Sequence, residues 1–468
     1  MRIKSIFSNS GGIFFSRIFG FIRDFTMASI LGANAYSDIF AVAFKLPNLF
    51  RRIFAEGAFT QSFIPSFIAA KYKAIFSAKI FTYLLLAIIT LSLIVNLFSY
   101  QIATLLAPGL PKETLLLSTK YVAIQFWYLP LIFIVTYLGA LLQYKEHFAT
   151  TAFATTLLNI ALIIAMLLYK DSTKAEILLA LSWGVIAGGL LQVVIHLIVA
   201  KRLKILKVLI YGFSNFKAKS TKVSKDTNRF FKNFFPAIWG NSTLQVMSFL
   251  DTWLASFLVA GSISYLYYAN RIFQLPLALF AIALSIAIFP TISKKIKAKE
   301  ETQALREFKR GFWILLYLLT ASTVGGIIFS KEIIWLLFEH GAFTRENTIN
   351  VALVLQMYLV GLIPYGLSKL FSLWLYANHQ QAKASKIATI SLISFIIFAL
   401  LLIKPLGAQG LALAGSLTGL VSFFLTIRHF GVDRMVNIVD RSRTFKFAIN
   451  LSVFTVLLLF INILWIHI

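Results

Sequence analysis

The chain contains 468 residues, of which 59% are hydrophobic and 13% are charged, and its formal net charge is +27. A soluble protein of this length needs more polar surface, so the composition excludes that class and predicts a helical membrane protein. The lack of cysteine excludes disulfides, metal–thiolate sites and thiol chemistry.

Apolar runs of about 20 residues, which is the helical length that crosses a bilayer core, recur along the whole chain. The first run contains Arg17 and Arg23, so we interpret it as a retained span and not as a cleaved signal peptide. We predict thirteen spans, at 8–32, 36–69, 76–105, 117–142, 148–169, 177–200, 230–259, 263–293, 308–330, 347–377, 384–403, 408–429 and 445–467.

Lysine and arginine are distributed unevenly among the predicted loops. With the N-terminus inside, 30 of the 44 basic residues lie in cytoplasmic segments and 7 lie in the opposite loops. This bias predicts a cytoplasmic N-terminus by the positive-inside rule. The loop 201–232 holds ten of these residues. We interpret it either as a determinant of topology alone or as a surface that also contacts anionic membrane lipid. The net charge therefore requires no nucleic-acid partner.

An internal repeat relates the two halves of the chain. The segment DFTMASILGA at 24–33 matches DTWLASFLVA at 251–260 at five positions. The copies begin six spans apart, so they have the same orientation in the membrane. We predict an all-α polytopic protein of two six-helix lobes, related by a pseudo-two-fold axis along the membrane normal, plus one C-terminal helix. The predicted parts are the N-terminal lobe 1–200, a basic cytoplasmic linker 201–229, the C-terminal lobe 230–430, and a connector with the thirteenth span at 431–468.

Charged residues also lie inside the predicted spans, where an unpaired charge costs at least ~2.5–3.5 kcal/mol. Bases within four residues of a span end are counted with the loops, and the remaining parts of the spans contain seven bases and four acids, which leaves a positive surplus. The surplus predicts a polar cavity for an anion, because the guanidinium fork suits phosphate. The alternative is a set of interhelical ion pairs that hold the bundle together. The residues selected for the site are Arg17, Arg23, Asp24, Asp38, Lys45, Asn48, Arg51, Arg52, Glu56, Asp251, Arg271 and Gln274.

Helical spacing groups several of these residues. Arg17 and Asp24 are seven positions apart and share one face of the first span. In the second span, spacings of 7, 3, 4 and 4 produce one polar stripe, with Arg51 about 100° off it. Pro47 predicts a kink, so the spacing leaves open whether Arg51 or Arg52 faces the cavity. The stripe consists of Asp38, Lys45, Asn48, Arg52 and Glu56.

The second half of the chain contributes fewer intramembrane charges. Tyr267, Arg271 and Gln274 share a face of the eighth span. Asp251 either binds a coupling cation or pairs with Arg271. The sequence contains no catalytic constellation, metal-ligand spacing or P-loop, so we predict a transporter without a cofactor, and not an enzyme. Transport would then depend on a monovalent cation, on the membrane potential or on mass action.

Three segments resemble one known family. They are SRIFGFIRD at 16–24, AFKLPNLFRRIFAEGAFTQSFIP at 43–65 and ASFLVAGSISYLYYANRIFQLP at 255–276. Each is similar to the MurJ/MviN family, the lipid II flippases of bacterial peptidoglycan synthesis. The resemblance covers most of the chain and implies a V-shaped fold of two lobes around a central cavity.

The resemblance also implies roles for the charged residues. The family's cavity arginines correspond to Arg17, Arg23, Arg51 or Arg52, and Arg271, and its acids in the first two spans correspond to Asp24 and Asp38. The substrate would resemble lipid II, an undecaprenyl pyrophosphate that carries a disaccharide-pentapeptide. This sequence departs from the family pattern in two ways, both in the second half of the chain. Asn270 and Gln274 replace acids that many relatives have beside the arginine of the eighth span, and the family usually has fourteen spans.

The resemblance therefore implies a flippase of the bacterial cytoplasmic membrane that works by alternating access. Its partners would be lipid II, membrane lipids and the peptidoglycan synthesis machinery. One alternative is a flippase for another glycan linked to polyprenyl pyrophosphate, because the pyrophosphate is shared. A cation-coupled drug antiporter is a second alternative, although it predicts an acidic, aromatic cavity. A channel or scaffold is the third, and it leaves the intramembrane charges unexplained.

Overall fold

The computed structural model describes residues 3–53, 58–216 and 220–466, which form helices joined by short turns, with no β-strand among them. The chain separates into two compact units, Met1–Gly261 and Ser262–Ile468. The helices of the first unit are α1 (Ile3–Leu31), α2 (Ala35–Ile53), α3 (Phe59–Ala69), α4 (Lys73–Leu97), α5 (Ser99–Leu106), α6 (Lys112–Phe126), α7 (Tyr128–Tyr144), α8 (Ala149–Leu168), α9 (Lys174–Arg202), α10 (Ile205–Ser214) and α11 (Ser224–Ala255), with a 3₁₀ turn at Ser220–Val223.

The second unit is built from longer helical segments. A π-helical turn at Leu277–Ile282 joins its first two helices. The helices are α12 (Ser262–Pro276), α13 (Ala283–Lys297), α14 (Glu301–Ile328), α15 (Ser330–Phe338), α16 (Arg345–Val360), α17 (Leu362–Ala377), α18 (Gln381–Phe430), α19 (Val432–Ile438) and α20 (Arg441–Ile466).

Within the described residues, nine helical segments are long and apolar enough to cross a membrane, which confirms the multi-pass, all-α prediction. The helices α1, α2 and α11 fall outside this set and carry most of the selected charges. The count of thirteen spans and the lobe symmetry stay predictions. The nine segments are Lys73–Leu97, Lys112–Tyr144, Ala149–Leu168, Lys174–Arg202, Ser262–Lys297, Glu301–Ile328, Arg345–Ala377, Gln381–Phe430 and Arg441–Leu464.

Two predicted spans, 384–403 and 408–429, lie within the single segment α18. The 50 residues of α18 would extend about 75 Å if straight, more than twice the ~30 Å of a bilayer core. The backbone leaves helical geometry at Gly407, where φ is 56°. Only glycine adopts such a conformation without strain, so the sequence PLG at 405–407 allows the chain to break there.

Aromatic side chains form the core of the first unit. Phe59 and Phe63 stack with their centroids 5.0 Å apart, and Phe230 lies 6.0 Å from Phe59 and 6.4 Å from Phe76. All four side chains are almost fully buried. Because Phe230 belongs to α11, this cluster fixes α11 against α3 and α4. The seventh predicted span therefore packs within the first unit, although the repeat assigns it to the second lobe.

The predicted linker 201–229 is largely helical. Its described residues include α10, the 3₁₀ turn at Ser220–Val223 and the first six residues of α11. Gly212 of α10 lies against the backbone of Ala74 in α4, so closely that a Cβ at Gly212 would meet the Ala74 carbonyl. The lobes were defined by symmetry and not by packing, so these contacts leave the predicted boundaries as predictions.

The helices α1 and α8 pack closely at Gly12. A Cβ added at Gly12 would lie 2.6 Å from the Ala152 Cβ, whereas a Cβ at Gly11 would meet nothing within 4 Å. Gly12→Ala is therefore expected to destabilise the folded protein by about 1–3 kcal/mol through overpacking. Thermal unfolding in detergent measures this effect. Gly11→Ala is the matched control and should lose no stability, because its Cβ has open space and alanine favours a helix more than glycine does. An equal loss in both variants would mean that the α1–α8 contact is not responsible.

Candidate functional site

Arg23 and Asp24 form an ion pair on α1. The Arg23 Nη2 and Nε groups donate to Asp24 Oδ1 over 2.5 and 3.1 Å. The side chains are only 11% and 2% exposed. A carboxylate this deeply buried needs a cationic partner, which Arg23 supplies.

The same guanidinium connects α1 to α8. Arg23 Nη1 donates to Asn159 Oδ1 over 3.1 Å, and Asn159 Nδ2 donates to the Ser16 carbonyl over 3.3 Å. One turn away, the hydroxyls of Ser16 and Thr155 lie 2.6 Å apart. The polar residues of α1 are thus held in place by neutral polar residues of α8, and these add no negative charge.

Arg17 differs from Arg23 in its surroundings. Its side chain is exposed, and within the described part of the chain no acid lies within ion-pair distance of it. Arg17 is about 10 Å along the α1 axis from Asp24, so a shared helix face does not bring the two into contact. The guanidinium of Arg17 is therefore an accessible cation on a membrane helix.

Asp38 has a structural partner. Its Oδ2 accepts a hydrogen bond from the backbone N–H of Gly261 over 2.6 Å, and the residue is 1% exposed. Gly261 has a positive φ of 94°, so it forms the turn that ends the first unit. Asp38 thereby joins the start of α2 to the chain that follows α11.

The α2 stripe continues with Lys45, Asn48 and Arg51. The Lys45 ammonium donates to Ser248 Oγ of α11 over 3.0 Å. Arg51 donates from Nε and Nη2 to Asn48 Oδ1 over 3.2 and 3.1 Å. This chelation brings the Arg51 guanidinium toward the stripe, although its Cα lies about 100° away. Lys45, Asn48 and Ser248 line a small polar pocket with Leu49 and Gln245.

Asp251 lies one turn after Ser248 on α11. The positive charge of the Lys45 ammonium acts on the Asp251 carboxyl group. The same ammonium donates the hydrogen bond to Ser248. The predicted pairing of Asp251 with Arg271, and the alternative of a bound cation, stay predictions. The Arg52 side chain and Glu56 lie outside the described residues.

Arg271 and Gln274 lie on α12 in the second unit. Arg271 Nη2 donates to the Tyr267 hydroxyl over 3.1 Å, and its guanidinium lies 5.2 Å from the centre of that ring. The predicted shared face of Tyr267 and Arg271 is therefore confirmed. Gln274, which is exposed, donates from Nε2 to Asn270 Oδ1. The two pairs form a polar patch with one positive charge.

The chain matches known proteins over nearly its whole length. The family model described as "Lipid II flippase MurJ" matches residues 27–468. The chain belongs to the MurJ family. A probable lipid II flippase MurJ of Helicobacter pylori is 47% identical over 441 residues, which is 92% of this chain and 96% of that protein. One from Buchnera aphidicola is 31% identical and covers 99% of this chain and 90% of its own.

One solved structure supports the same family, and a second shares the fold. A structure of "Lipid II flippase MurJ, inward closed conformation" superposes with a TM-score of 0.77 at 25% identity, covering 97% of each chain. An inward-facing multidrug transporter of the MATE family superposes with a TM-score of 0.66 at 10% identity, covering 90% of this chain and 95% of its own. At that identity the second match shows a shared fold alone.

Asn270 and Gln274 of α12 are both neutral amides. They hydrogen bond to each other and supply no carboxylate. An amide does not exchange a proton near neutral pH. These two positions therefore cannot take up protons during transport.

Sequence reasoning missed several residues of this site. Asn159, Thr155 and Ser248 are neutral residues in apolar helices, and their contacts join positions more than 130 residues apart. Their spacing from the charged residues along the chain therefore gave no signal. Lys79, near the start of the predicted span 76–105, was not selected, but it is 6% exposed within α4, where it donates to Ser224 Oγ over 3.4 Å.

Proposed function

We propose that this chain moves lipid II from the inner to the outer leaflet of the bacterial cytoplasmic membrane by alternating access. Membership of the MurJ family over residues 27–468 carries the proposal. The relatives' names describe lipid II flippases. We propose that the cavity arginines of this chain include Arg17, Arg23, Arg51 and Arg271. Transport of this kind changes no covalent bond.

We propose further that these arginines, together with Arg52, bind the pyrophosphate of the substrate. Arg17 and Arg51 are at least partly accessible to a ligand, and Arg271 is partly buried on α12. Arginine forms paired hydrogen bonds to phosphate oxygens, and desolvation strengthens each of them. Asp24, Asp38, Lys45, Asn48, Glu56 and Gln274 complete the proposed site by holding or balancing these cations.

The proposed orientation has the N-terminus in the cytoplasm. It follows from the concentration of lysine and arginine in alternate loops. The peptidoglycan synthesis machinery is the proposed partner on both sides of the membrane, because it makes and consumes the same lipid.

A flippase for another polyprenyl-linked glycan is the second candidate, since the pyrophosphate is common to both. The drug-antiporter alternative fits the site less well. Its organic cation would meet the surplus of arginine and lysine described above.

Rescue of a bacterium depleted of its own lipid II flippase tests the proposal. We expect the wild-type chain to restore growth and the exposure of labelled lipid II on the outer face, because the chain supplies the missing transport step. Protein amount in the membrane is measured beside it. Failure of a well-expressed chain, together with export of a different polyprenyl-linked glycan, would favour the second candidate.

A further inference from the structure

Three basic residues lie close to two tyrosines where α4 begins. The ammonium groups of Lys71 and Lys222 each lie 5.9 Å from the centre of the Tyr72 ring. Lys73 lies 3.3 Å from the Tyr144 hydroxyl and 5.4 Å from the centre of the Tyr144 ring. We call Lys71, Tyr72, Lys73, Tyr144 and Lys222 the Tyr72 cluster. Lys79, a fourth base, is buried one turn and a half further along α4.

The charge of the Tyr72 cluster has no anionic partner in the described part of the chain. Lys71, Lys73 and Lys222 make no ion pair there, whereas Lys295 and Lys309 of the second unit pair with Glu307 and Asp440. Three ammonium groups near two aromatic rings form a positive surface that suits a phosphate. Cation–π attraction to the two rings also holds the lysine ammonium groups close to them.

The helix α10 extends this surface with apolar side chains. Leu209 and Gly212 are buried against the unit, and Gly212 contacts Ala74, the residue after Lys73. Ile210 and Phe213 face outward, with exposed fractions of 64% and 42%. Exposed apolar side chains beside lysines are typical of a helix that lies in the headgroup layer of a membrane. A soluble phosphate compound has no apolar part that could cover this face of α10, whereas a lipid has.

We infer that the Tyr72 cluster binds the phosphate of an anionic phospholipid, with α10 inserted in the same headgroup layer. The inference depends on the membrane setting of the chain and not on the substrate that it moves. None of the cluster residues belongs to the proposed pyrophosphate site, so lipid binding and flipping can fail separately. Bound lipid would fix α4, α10 and the start of α11 at one depth.

The test uses the purified full chain in phosphatidylcholine nanodiscs into which phosphatidylglycerol is titrated. The thermal unfolding midpoint is the readout. We expect phosphatidylglycerol to raise the midpoint of the wild type. In Lys71→Gln/Lys222→Gln, the concentration needed for half of that effect should rise about 30-fold, since each lysine near an anionic surface contributes about a factor of five.

Lys294→Gln/Lys297→Gln is the matched control, because it removes two exposed lysines from the second unit. It should keep the wild-type response. Equal losses in both double variants would show a net-charge effect and overturn the inference. Stabilisation by soluble glycerol phosphate equal to that by phosphatidylglycerol would overturn the assignment to a lipid. Unfolding midpoints of the variants in pure phosphatidylcholine check that the substitutions leave folding intact.

Discussion

Arg23→Ala is expected to reduce both the amount of folded protein and the flipping of lipid II. The substitution removes an ion-pair partner of Asp24, whose side chain is 2% exposed, and breaks the connection to Asn159. Leaving one member of a buried ion pair uncompensated costs about 3–5 kcal/mol. Thermal unfolding of the purified protein measures the loss, and exposure of labelled lipid II measures transport.

The double variant Arg23→Ala/Asp24→Asn separates the two effects. Removing the stranded charge should restore most of the unfolding midpoint, because a neutral amide is far less costly to bury. Flipping should stay low, since the guanidinium that we propose for the pyrophosphate is still missing. Full recovery of flipping together with folding would limit Arg23 to a structural role between α1 and α8.

The helical class and the membrane setting were predictable because apolar runs of membrane length leave few other structures. The packing of α11 was not predictable from the sequence. Its position depends on Phe230 and on aromatic partners in α3 and α4, and a repeat in the sequence reports common ancestry of segments and not which side chains touch. The break within α18, at Gly407, lies between the two predicted spans 384–403 and 408–429.

The charged residues of the site were predictable for a similar reason, since charge in an apolar helix is conspicuous. The hydrogen-bond and ion-pair partners of these charged residues were less predictable. Helical spacing put Arg17 and Asp24 on one face, but Asp24 pairs with Arg23, because a long arginine side chain spans the angle between neighbouring positions. The angle of a residue around the helix axis therefore predicts its contacts poorly when its side chain is long.

The partners that spacing missed share one property. Asn159 and Ser248 are neutral, so they orient Arg23 and Lys45 without cancelling their charge. Tyr267, which the spacing did predict, does the same for Arg271. A site that holds its cations by carboxylates alone would lose its attraction for a dianion. Neutral partners preserve the positive field while they reduce the freedom of the side chains.

Arg271→Ala is expected to lower the rate of lipid II flipping about 10- to 100-fold, the range that loss of a hydrogen bond to a charged group produces. Arg271 is partly buried, and its hydrogen bond to Tyr267 lies within α12, one turn away. The unfolding midpoint should therefore change less than in Arg23→Ala. Rescue of the depleted strain and exposure of labelled lipid II measure the effect.

Two further variants identify which property of Arg271 matters. Arg271→Lys keeps the charge but not the planar fork, so its flipping rate should fall between those of the wild type and Arg271→Ala. Tyr267→Phe removes the hydroxyl that accepts from Nη2 and keeps the ring, so it should retain most of the wild-type rate. A Tyr267→Phe variant as inactive as Arg271→Ala would instead make the hydrogen bond, and not the cation, the essential feature of α12.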